Sequence, residues 1–292
     1  MKYDAAQLRR LYQEGRNITQ WIRGQEQRAD NSQTAILYAY DAQAGSYLRA
    51  LEDPVIRVNR EQVGRKLGAL LDQLGVSSVL DAGTGEATSL VPVLQAMRAR
   101  PDVLAFDLSL SRLLFARQHL TEHGQQADLF VGDLAAIPLA DNAVDCVLTV
   151  HAVEPNGGRE REILSELLRV AARYVVMVEP SWELGSEATR TRISQHGYVK
   201  GLPEILESLG HKPVRFEPWG LDVNPANQAA LVVVEKPGRA RMGFVSPVSG
   251  KPLQQRSDCW FCPEDGHAFP IIQGIPCLLV ENAVLASQLG KF

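Results

Sequence analysis

The stretch VLDAGTGEATSL, residues 79–90, decides the fold. An apolar run ends at Asp81, and Gly83 and Gly85 follow where a strand is expected to turn into a helix. A dinucleotide-binding loop reads G-x-G-x-x-G, and its third glycine lets the helix pack closely while the helix N-terminus faces a pyrophosphate. The third position here is Thr88. Because the loop lacks that glycine and follows an acid, we predict a ligand that carries a positive charge and no phosphate.

Alternating strand and helix patterns continue on the C-terminal side of this loop. Seven short runs are rich in Val, Leu and Ile: SSVLDAG, VLAFD, DLFVGD, AVDCVLTV, RYVVMVE, PVRFEP and AALVVVEK. Repeated strand–helix units with apolar strands predict an α/β fold, with a seven-stranded, mostly parallel sheet and helices on both faces. The last two runs are joined by a loop alone, which predicts an antiparallel pair at the edge of the sheet.

The chain is predicted to have three parts. Residues 1–60 show apolar side chains at helix spacing and are expected to form an N-terminal helical cap. Residues 61–237 hold the alternating units. The segment KPGRARMG indicates a linker to residues 238–292, a small unit rich in Pro, Gly and Ser. With 292 residues, 45% of them hydrophobic, the chain is long enough for a full core and a small extra unit.

The charge and hydropathy of the chain argue against nucleic acid and membranes as binding partners. The formal net charge is −4, and residues 61–236 carry 23 acidic and 16 basic side chains. A protein that binds nucleic acid unaided usually shows a basic stripe, because phosphate neutralisation supplies much of the affinity. We see no such stripe, so nucleic acid is an unlikely partner. No run approaches the roughly 20 apolar residues of a membrane span and no charged start leads into an apolar segment, so we expect a cytoplasmic protein without membrane contact.

The glycine loop and its surroundings resemble the class I S-adenosylmethionine-dependent methyltransferases of the small-molecule type. The resemblance covers about residues 35–236. The motif DAGTG matches the loop that lies against the methionine and adenosine portions of the cofactor in this family, and its matching residues are Asp81, Gly83, Thr84 and Gly85. The resemblance implies an enzyme of the methyltransferase class whose cofactor is S-adenosylmethionine.

Two further acids match cofactor-binding positions of the family. Asp107, followed by Leu108, ends VLAFD, where the family uses an acid to hold both ribose hydroxyls. The geometry is suitable because one carboxylate can accept from two adjacent hydroxyl donors. Asp133 and its neighbour Leu134, in GDLAAIPLADNAVD, match residues that edge the adenine ring in similar proteins.

The segment YAYDAQAGSY, residues 38–47, resembles the tyrosine-containing N-terminal helix that closes over the cofactor in many members. Tyr40 and Tyr47 are therefore predicted to contact the cofactor. Each match also has an interpretation without a ligand: the tyrosines fit ordinary helix packing, Asp107 fits a helix N-cap, and Asp133 fits a solvated turn. The order and separation of the matches favour the cofactor site.

His151 is the predicted catalytic residue. It stands just past the strand AVDCVLTV, at the carboxyl end, where open α/β sheets bind ligands. Methyl transfer from a sulfonium depends mainly on alignment, and a hydroxyl acceptor also needs a base, for which histidine is suited at neutral pH. We predict that His151 is this base or a substrate orienter, with Glu154 as its partner. The alternative is that the imidazole caps the loop or packs against the adenosine.

Three other residues are predicted to bind the acceptor. Glu179 lies at the end of the next strand and is expected to point toward the same crevice at the carboxyl ends of the strands. Tyr198 and Lys200 lie in the insertion that follows. Basic and aromatic side chains of this kind can recognise an anionic group such as a carboxylate or phosphate. The chain has HAVEPN where related enzymes that methylate adenine amines or glutamine amides carry Asn-Pro-Pro-aromatic. Those amines are therefore not expected as acceptors.

The segment SPVSGKPLQQRSDCWFCPEDGHAFPIIQGIPCLL resembles the small zinc-ribbon-like proteins that activate methyltransferases. Metal-binding members open with Cys-Pro-x-Cys, but the matching positions here are Ser246 and Ser249. Serine hydroxyls are poor zinc ligands, and structural sites normally use four Cys or His. The nearby metal-binding side chains are Cys259, Cys262 and His267. Since no fourth ligand is evident, we predict a zinc-ribbon-like unit without a metal, structural or dimerising in role, which leaves a homodimer open.

The leading functional hypothesis is a methyltransferase that acts on the hydroxyl, carboxyl or amine of a small molecule by in-line transfer. A tRNA- or rRNA-modifying methyltransferase is a second hypothesis, because of the C-terminal segment, but the acidic centre opposes it. A non-catalytic, cofactor-binding regulatory protein is the third, since binding motifs do not prove turnover. The sequence does not choose between oxygen and nitrogen acceptors.

Overall fold

The computed structural model describes residues 3–291. Four helices begin the chain: α1 (Ala5–Gln13), α2 (Ile18–Glu26), α3 (Gln33–Ala42) and α4 (Ser46–Ala50). The first three start at Asp4, Asn17 and Ser32, whose side chains accept a hydrogen bond from a backbone N–H of the first turn, as N-caps do. Apolar side chains at helix spacing continue from Ile36 to Leu51, but they are divided between α3 and α4. Gly45 separates the two helices, because its φ of 86° lies in the left-handed region.

Helix α5 (Pro54–Leu74) joins these helices to the sheet and was not predicted as a separate element. Its packing partner is α6 (Leu90–Ala96), and the approach is close: a Cβ at Gly64 would lie 2.5 Å from the backbone of Pro92. The predicted domain boundary at residue 60 therefore falls inside a helix that packs on the main body.

The central sheet has seven strands in the order β3-β2-β1-β4-β5-β7-β6. The strands are β1 (Ser78–Ala82), β2 (Asp102–Asp107), β3 (Asp128–Val131), β4 (Val144–Val150), β5 (Ala171–Pro180), β6 (Arg215–Pro218) and β7 (Ala229–Glu235). Strand β7 is antiparallel to both of its neighbours, and the other adjacent pairs are parallel. The prediction of a seven-stranded, mostly parallel sheet is confirmed. The predicted antiparallel pair also forms, but β7 inserts between β5 and β6.

Helices cover both faces of the sheet. Besides α5 and α6 they are α7 (Leu110–Glu122), α8 (Glu160–Val170), α9 (Glu187–His196) and α10 (Leu202–Ser208). Two apolar clusters lie on opposite sides of the strands, which explains why the strand sequences are apolar throughout instead of alternating. The strand order reverses between β1 and β4, and such a switch point opens a crevice at the carboxyl ends of the strands.

A small sheet follows the segment at residues 236–243. Its strands are β8 (Gln254–Gln255), β9 (Cys259–Phe261), β10 (His267–Ile272), β11 (Ile275–Pro276) and β12 (Val284–Leu285), with 3-10 turns at Val280–Asn282 and Leu289–Lys291. This C-terminal unit packs on the edge of the main sheet: Cys277 forms a parallel bridge with Val131, and the Leu278 N–H donates to the Val131 carbonyl at 2.9 Å. Its buried Phe269 belongs to the same apolar cluster as the main sheet.

Asp265 is the centre of a hydrogen-bonded cluster in the C-terminal unit. Its Oδ2 accepts from Ser246 Oγ at 2.7 Å and from Ser249 Oγ at 2.5 Å, and its Oδ1 accepts from the His267 N–H at 2.9 Å. Within residues 3–291, no group of three or more His, Cys, Asp or Glu residues is arranged to hold a metal. The two serines, which stand where metal-binding zinc-ribbon proteins carry cysteines, thus donate to one shared carboxylate. The resemblance to zinc-ribbon proteins stays a prediction.

Among the helices of residues 3–291, none combines the length and the apolar composition that crossing a membrane requires.

Candidate functional site

A cavity of about 330 Å³ lies at the carboxyl ends of β1, β2 and β4. This size is within the range of small-molecule sites. The predicted site residues that line it are Tyr40, Tyr47, Gly83, Thr84, Asp107, Leu108, Asp133, Leu134, His151 and Glu154. The structure therefore brings together, in one cavity, segments that are more than a hundred residues apart in the chain.

The glycine loop needs its glycines for both conformation and space. Gly83 and Gly85 have φ values of 79° and 59°, in the left-handed region. A Cβ on Gly83 would lie 2.5 Å from the Cβ of Ala152. Asp81 is buried at the end of β1, and burial raises its pKa to about 6. A side chain at either glycine would clash with a neighbouring residue. The loop therefore presents only backbone atoms at these two positions, which leaves space beside it for a ligand.

Asp107 combines a structural role with access to the cavity. Its Oδ1 accepts from the Ser109 N–H at 2.9 Å, and its Oδ2 accepts from the Gly85 N–H at 3.0 Å. The N-cap of α7 is Ser109, whose Oγ accepts from the Arg112 N–H at 3.3 Å, so Asp107 is not the helix N-cap of the ligand-free interpretation. A carboxylate has about four acceptor positions, so capacity is left for hydroxyls in the cavity.

Asp133 is fixed by three partners. Its Oδ2 accepts from Gln33 Nε2 at 3.0 Å and from Arg159 Nη2 at 3.3 Å, and its Oδ1 accepts from the Ala135 N–H at 3.1 Å. The contact with Gln33 ties α3 to the far end of the cavity. Asp133 is therefore not a solvated turn residue, although its predicted contact with adenine is untested.

The N-terminal helices form one wall of the cavity through Tyr40 and Tyr47. Burial raises the pKa of both phenols. Glu86, which follows the glycine loop, connects it to these helices. Its carboxylate accepts from the Gly45 N–H at 3.0 Å and from the Leu48 N–H at 2.8 Å. The sequence analysis missed Glu86, which has the residue type of a surface acid but is 1% exposed.

His151 and Glu154 form a hydrogen-bonded pair on the cavity wall. His151 Nδ1 lies 2.8 Å from Glu154 Oε2. Burial alone would lower the pKa of His151, but the hydrogen bond and the negative charge of Glu154 outweigh it, so the pKa is raised. The pair has the geometry of a base whose tautomer is set by a carboxylate.

Glu179 lies beneath the loop that carries this pair. Its carboxylate accepts from the backbone N–H groups of Ala152, Val153 and Glu154 at 3.1, 3.2 and 3.1 Å. Burial raises the pKa of Glu179 to about 7. Its side chain is 1% exposed and is not among those that line the cavity. This geometry supports a role in positioning the loop, and the predicted contact with an acceptor is untested.

Tyr198 and Lys200 do not line the cavity. Lys200 is exposed, and its Nζ lies 4.3 Å from the centroid of the Trp182 ring. The Tyr198 ring packs 5.8 Å from the guanidinium of Arg192, and burial raises the pKa of its phenol. Arg192 itself does line the cavity. The insertion thus contributes a cation to the cavity through Arg192 and not through Lys200.

The structure adds three groups that the sequence analysis did not select. Arg60 on α5 lines the cavity and donates from Nη1 to Ser89 Oγ at 3.3 Å. Arg112 on α7 also lines the cavity. The loop between β6 and β7 supplies Trp219, Leu221, Asp222, Val223, Asn224 and Asn227. Neither arginine stands in a motif, so no local signal identified them.

Residues 79–173 match the family described as a methyltransferase domain. An uncharacterized 37.1 kDa protein in transposon TN4556 of Streptomyces fradiae is 30% identical over 119 residues, which are 39% of this chain and 33% of that protein. A demethylmenaquinone methyltransferase of Renibacterium salmoninarum is 27% identical over 138 residues, which are 47% of this chain and 55% of that protein. The chain thus spans about half or less of the length of these curated relatives.

A crystal structure of magnesium protoporphyrin IX methyltransferase from Synechocystis PCC 6803, with bound SAH, is similar to this one. The TM-score is 0.56 and the identity 18%, over 70% of this chain and all of that chain. The chain therefore shares the fold of this methyltransferase structure, and its residues 79–173 match the methyltransferase-domain family. A second crystal structure of the same Synechocystis enzyme, with bound SAM, is also similar, with a TM-score of 0.53 and 17% identity over 70% of this chain and 96% of that chain.

Proposed function

We propose that the protein transfers a methyl group from S-adenosylmethionine to a small, polar acceptor. The observation that carries this proposal is the single cavity shared by two sets of residues. One set, around Gly83 and Asp107, is suited to a nucleoside cofactor, and the other is the His151–Glu154 pair, which is suited to removing a proton. A pure binding protein has no need of the second set.

The residues present fit the cofactor. The bare backbone at Gly83 leaves room beside the loop, and Asp107 has unused acceptor capacity for the ribose hydroxyls. Asp133 and Leu134 form the far end, where the family resemblance implies the adenine ring. Arg60 adds a guanidinium that suits the methionine carboxylate. When bound, S-adenosylmethionine supplies a methyl group on a sulfonium sulfur.

The lining of the remaining cavity supports a small acceptor rich in polar groups. Asn59, Arg192, Asn224 and Asn227 line it beside His151, and the apolar members there are Trp219, Leu221 and Val223. Arg192 Nε donates to Asn227 Oδ1 at 3.2 Å, so this cation is held in position. A fixed guanidinium and several amides suit a hydroxylated acceptor with an anionic group.

His151 is the proposed base and Glu154 its orienting partner. With Nδ1 bonded to Glu154, Nε2 is the nitrogen left to accept a proton from an acceptor hydroxyl. Glu179 fixes the loop that carries both residues through three backbone N–H groups. Alignment of the acceptor supplies most of the rate in such a displacement, and the base adds to it.

The test is to incubate the protein with methyl-labelled S-adenosylmethionine and a cell extract. We expect label in small, water-soluble molecules, and loss of that label in Asp107→Ala. Label in RNA that weakens steeply with added salt would instead support the RNA-modifying alternative. Binding of S-adenosylhomocysteine without any transfer would support the regulatory alternative. Tight binding of NAD together with no binding of S-adenosylhomocysteine would contradict the proposal as a whole.

A further inference from the structure

Arg112 is a buried arginine in the cofactor cavity. It is the third residue of α7 and is 8% exposed. Its guanidinium packs against two rings of the N-terminal helices, 5.1 Å from the centroid of Tyr40 and 4.6 Å from that of Tyr47. On its other side it lies against the glycine loop, since a Cβ on Gly85 would be 2.3 Å from Nη2. These contacts fix the guanidinium plane beside Asp107.

The guanidinium of Arg112 forms two long ion pairs with neighbouring carboxylates. The nearest carboxylate oxygens are Asp107 Oδ2, 3.7 Å from Nη1, and Glu86 Oε1, 3.9 Å from Nε. Both distances exceed the range of a hydrogen bond. Within the described residues 3–291, Nε is buried and has no hydrogen-bond partner. A buried cation with unused donors is costly, so the arrangement indicates that a ligand supplies the missing acceptor.

The carboxylate of Asp107 limits which ligand groups could accept a hydrogen bond from Arg112. A phosphate or carboxylate could accept from Arg112 but would lie next to the negative charge of Asp107. A hydroxyl both donates and accepts, so one hydroxyl group can donate to the carboxylate and accept from the guanidinium. Two adjacent hydroxyls, as in a ribose, match a carboxylate and a planar guanidinium placed side by side.

We propose that Arg112 donates hydrogen bonds to the ribose hydroxyl oxygens of the cofactor while Asp107 accepts from the same hydroxyls. This inference rests on the proposed function and adds a second residue to ribose recognition. Arg112 is then a specificity-determining residue for the ribose diol. Lysine does not replace it, because an ammonium is a compact charge without the fixed planar donors of arginine.

The test is calorimetric binding of three ligands: S-adenosylhomocysteine and its 2′-deoxy and 3′-deoxy analogues. Wild-type protein should prefer the full diol over each deoxy analogue by about tenfold or more. In Arg112→Ala and Arg112→Lys, affinity for S-adenosylhomocysteine should fall by about tenfold while the affinities for the deoxy analogues change less. The preference for the diol is thus expected to shrink in both variants.

Arg117→Ala is the matched control, because Arg117 lies on the same helix and is exposed. It should bind all three ligands as the wild type does. If Arg112→Ala and Arg112→Lys weaken all three ligands by one common factor, or weaken none, the inference is wrong and Arg112 is a packing residue. If wild-type protein binds none of the three, the proposed function itself fails. Binding to wild type with an unchanged diol preference in the variants overturns this inference alone.

Discussion

His151 Nδ1 lies 2.8 Å from Glu154 Oε2, and both residues line the cavity. His151 has a φ of 54°, which is uncommon for a residue with a side chain, and its N–H donates to the Val178 carbonyl at 2.9 Å. Backbone strain at a cavity is often tied to function, because the surrounding structure must hold it in place. Here it turns the imidazole toward Glu154 at the end of β4.

Replacing His151 tests its role as a base. We expect His151→Ala to lower kcat by about 10²- to 10⁴-fold, the usual contribution of a general base, while the affinity for S-adenosylhomocysteine stays near that of wild type. Single-turnover kinetics and calorimetry separate the two effects. Full turnover in the variant would show that the imidazole is a packing residue, as the ligand-free interpretation holds.

The pH dependence of kcat/KM tests the pair. Since Glu154 raises the pKa of His151, the neutral imidazole that a base requires forms at a higher pH than for an ordinary histidine. Activity should therefore rise as pH increases through this raised pKa. Glu154→Gln removes the negative charge, so the rising limb should move to lower pH. If the rising limb of the kcat/KM profile stays at the same pH in Glu154→Gln, His151 and Glu154 are not paired in solution.

Glu179 is expected to make stability depend on pH. Burial raises the pKa of this carboxyl to about 7, so its contribution is complete below its ordinary pKa and is lost as pH rises through about 7. Urea unfolding should give a free energy that falls between pH 5 and pH 8. In Glu179→Gln the fall should be smaller.

The same variant should also be less stable at every pH, by about 1–3 kcal/mol, because an amide NH₂ cannot accept from the N–H groups of the loop. Glu187→Gln, at an exposed position of α9, is the control and should match wild type. An equal pH slope in Glu179→Gln and wild type would mean that another group carries the effect.

Arg60 is predicted to hold the cofactor by its carboxylate. Arg60→Ala should bind S-adenosylhomocysteine about tenfold more weakly, because a charge-assisted hydrogen bond is lost. Binding of 5′-methylthioadenosine, which has no carboxylate, should not change. Calorimetry with both ligands measures the difference. Arg57→Ala, an exposed neighbour on α5, should leave both affinities intact, and equal losses for both ligands in Arg60→Ala would contradict the assignment.

Asp265 is predicted to stabilise the C-terminal unit without a metal. Burial opposes the charged form, but hydrogen bonds from Ser246, Ser249 and the His267 N–H hold the pKa of Asp265 well below its usual range. Its contribution is therefore present above the ordinary pKa of an aspartate and is lost as pH falls. Asp265→Ala should lower the free energy of unfolding by about 1–3 kcal/mol at pH 7, since both serine hydroxyls lose their acceptor.

Chelator treatment provides the complementary measurement for this cluster. EDTA should leave the melting temperature of wild-type protein unchanged. One zinc per chain by elemental analysis, with a melting temperature that drops on chelation, would contradict a metal-free unit. Ser249→Ala should give a smaller loss than Asp265→Ala, because Ser246 and the His267 N–H keep their acceptor.

Local patterns predicted most of the fold because the central strands, such as β4 and β5, are buried on both faces and therefore apolar in sequence. The seven runs correspond to β1–β7, and the loop joining the last two correctly indicated their antiparallel pairing. Helix α5 was missed although Val63, Leu67, Leu70 and Leu71 form an apolar stripe at helix spacing, because the sequence analysis placed a domain boundary at residue 60, inside this helix. The position of β7 between β5 and β6 depends on long-range pairing that no short window contains.

The site was predictable where a motif carried it. The residues of the glycine loop, Asp107, Asp133, His151 and Glu154 all lie at or beneath one cavity. Lys200 was selected by residue type and lies on the surface. Arg60 and Arg112 reach the cavity from helices whose sequences give no functional signal, so identifying them required the tertiary structure.

The bridge between Val131 and Cys277 has a consequence for any shortened form of the chain. Strand β3 ends the main sheet on that side, and residues Ile275, Cys277 and Leu279 bury Leu113 and Val131. Deleting the last fifty or so residues would expose the unpaired edge of β3 and the apolar surface next to it. Such a combination favours self-association. A chain shortened to end near residue 237 is thus expected to aggregate, because the C-terminal unit covers the edge strand β3.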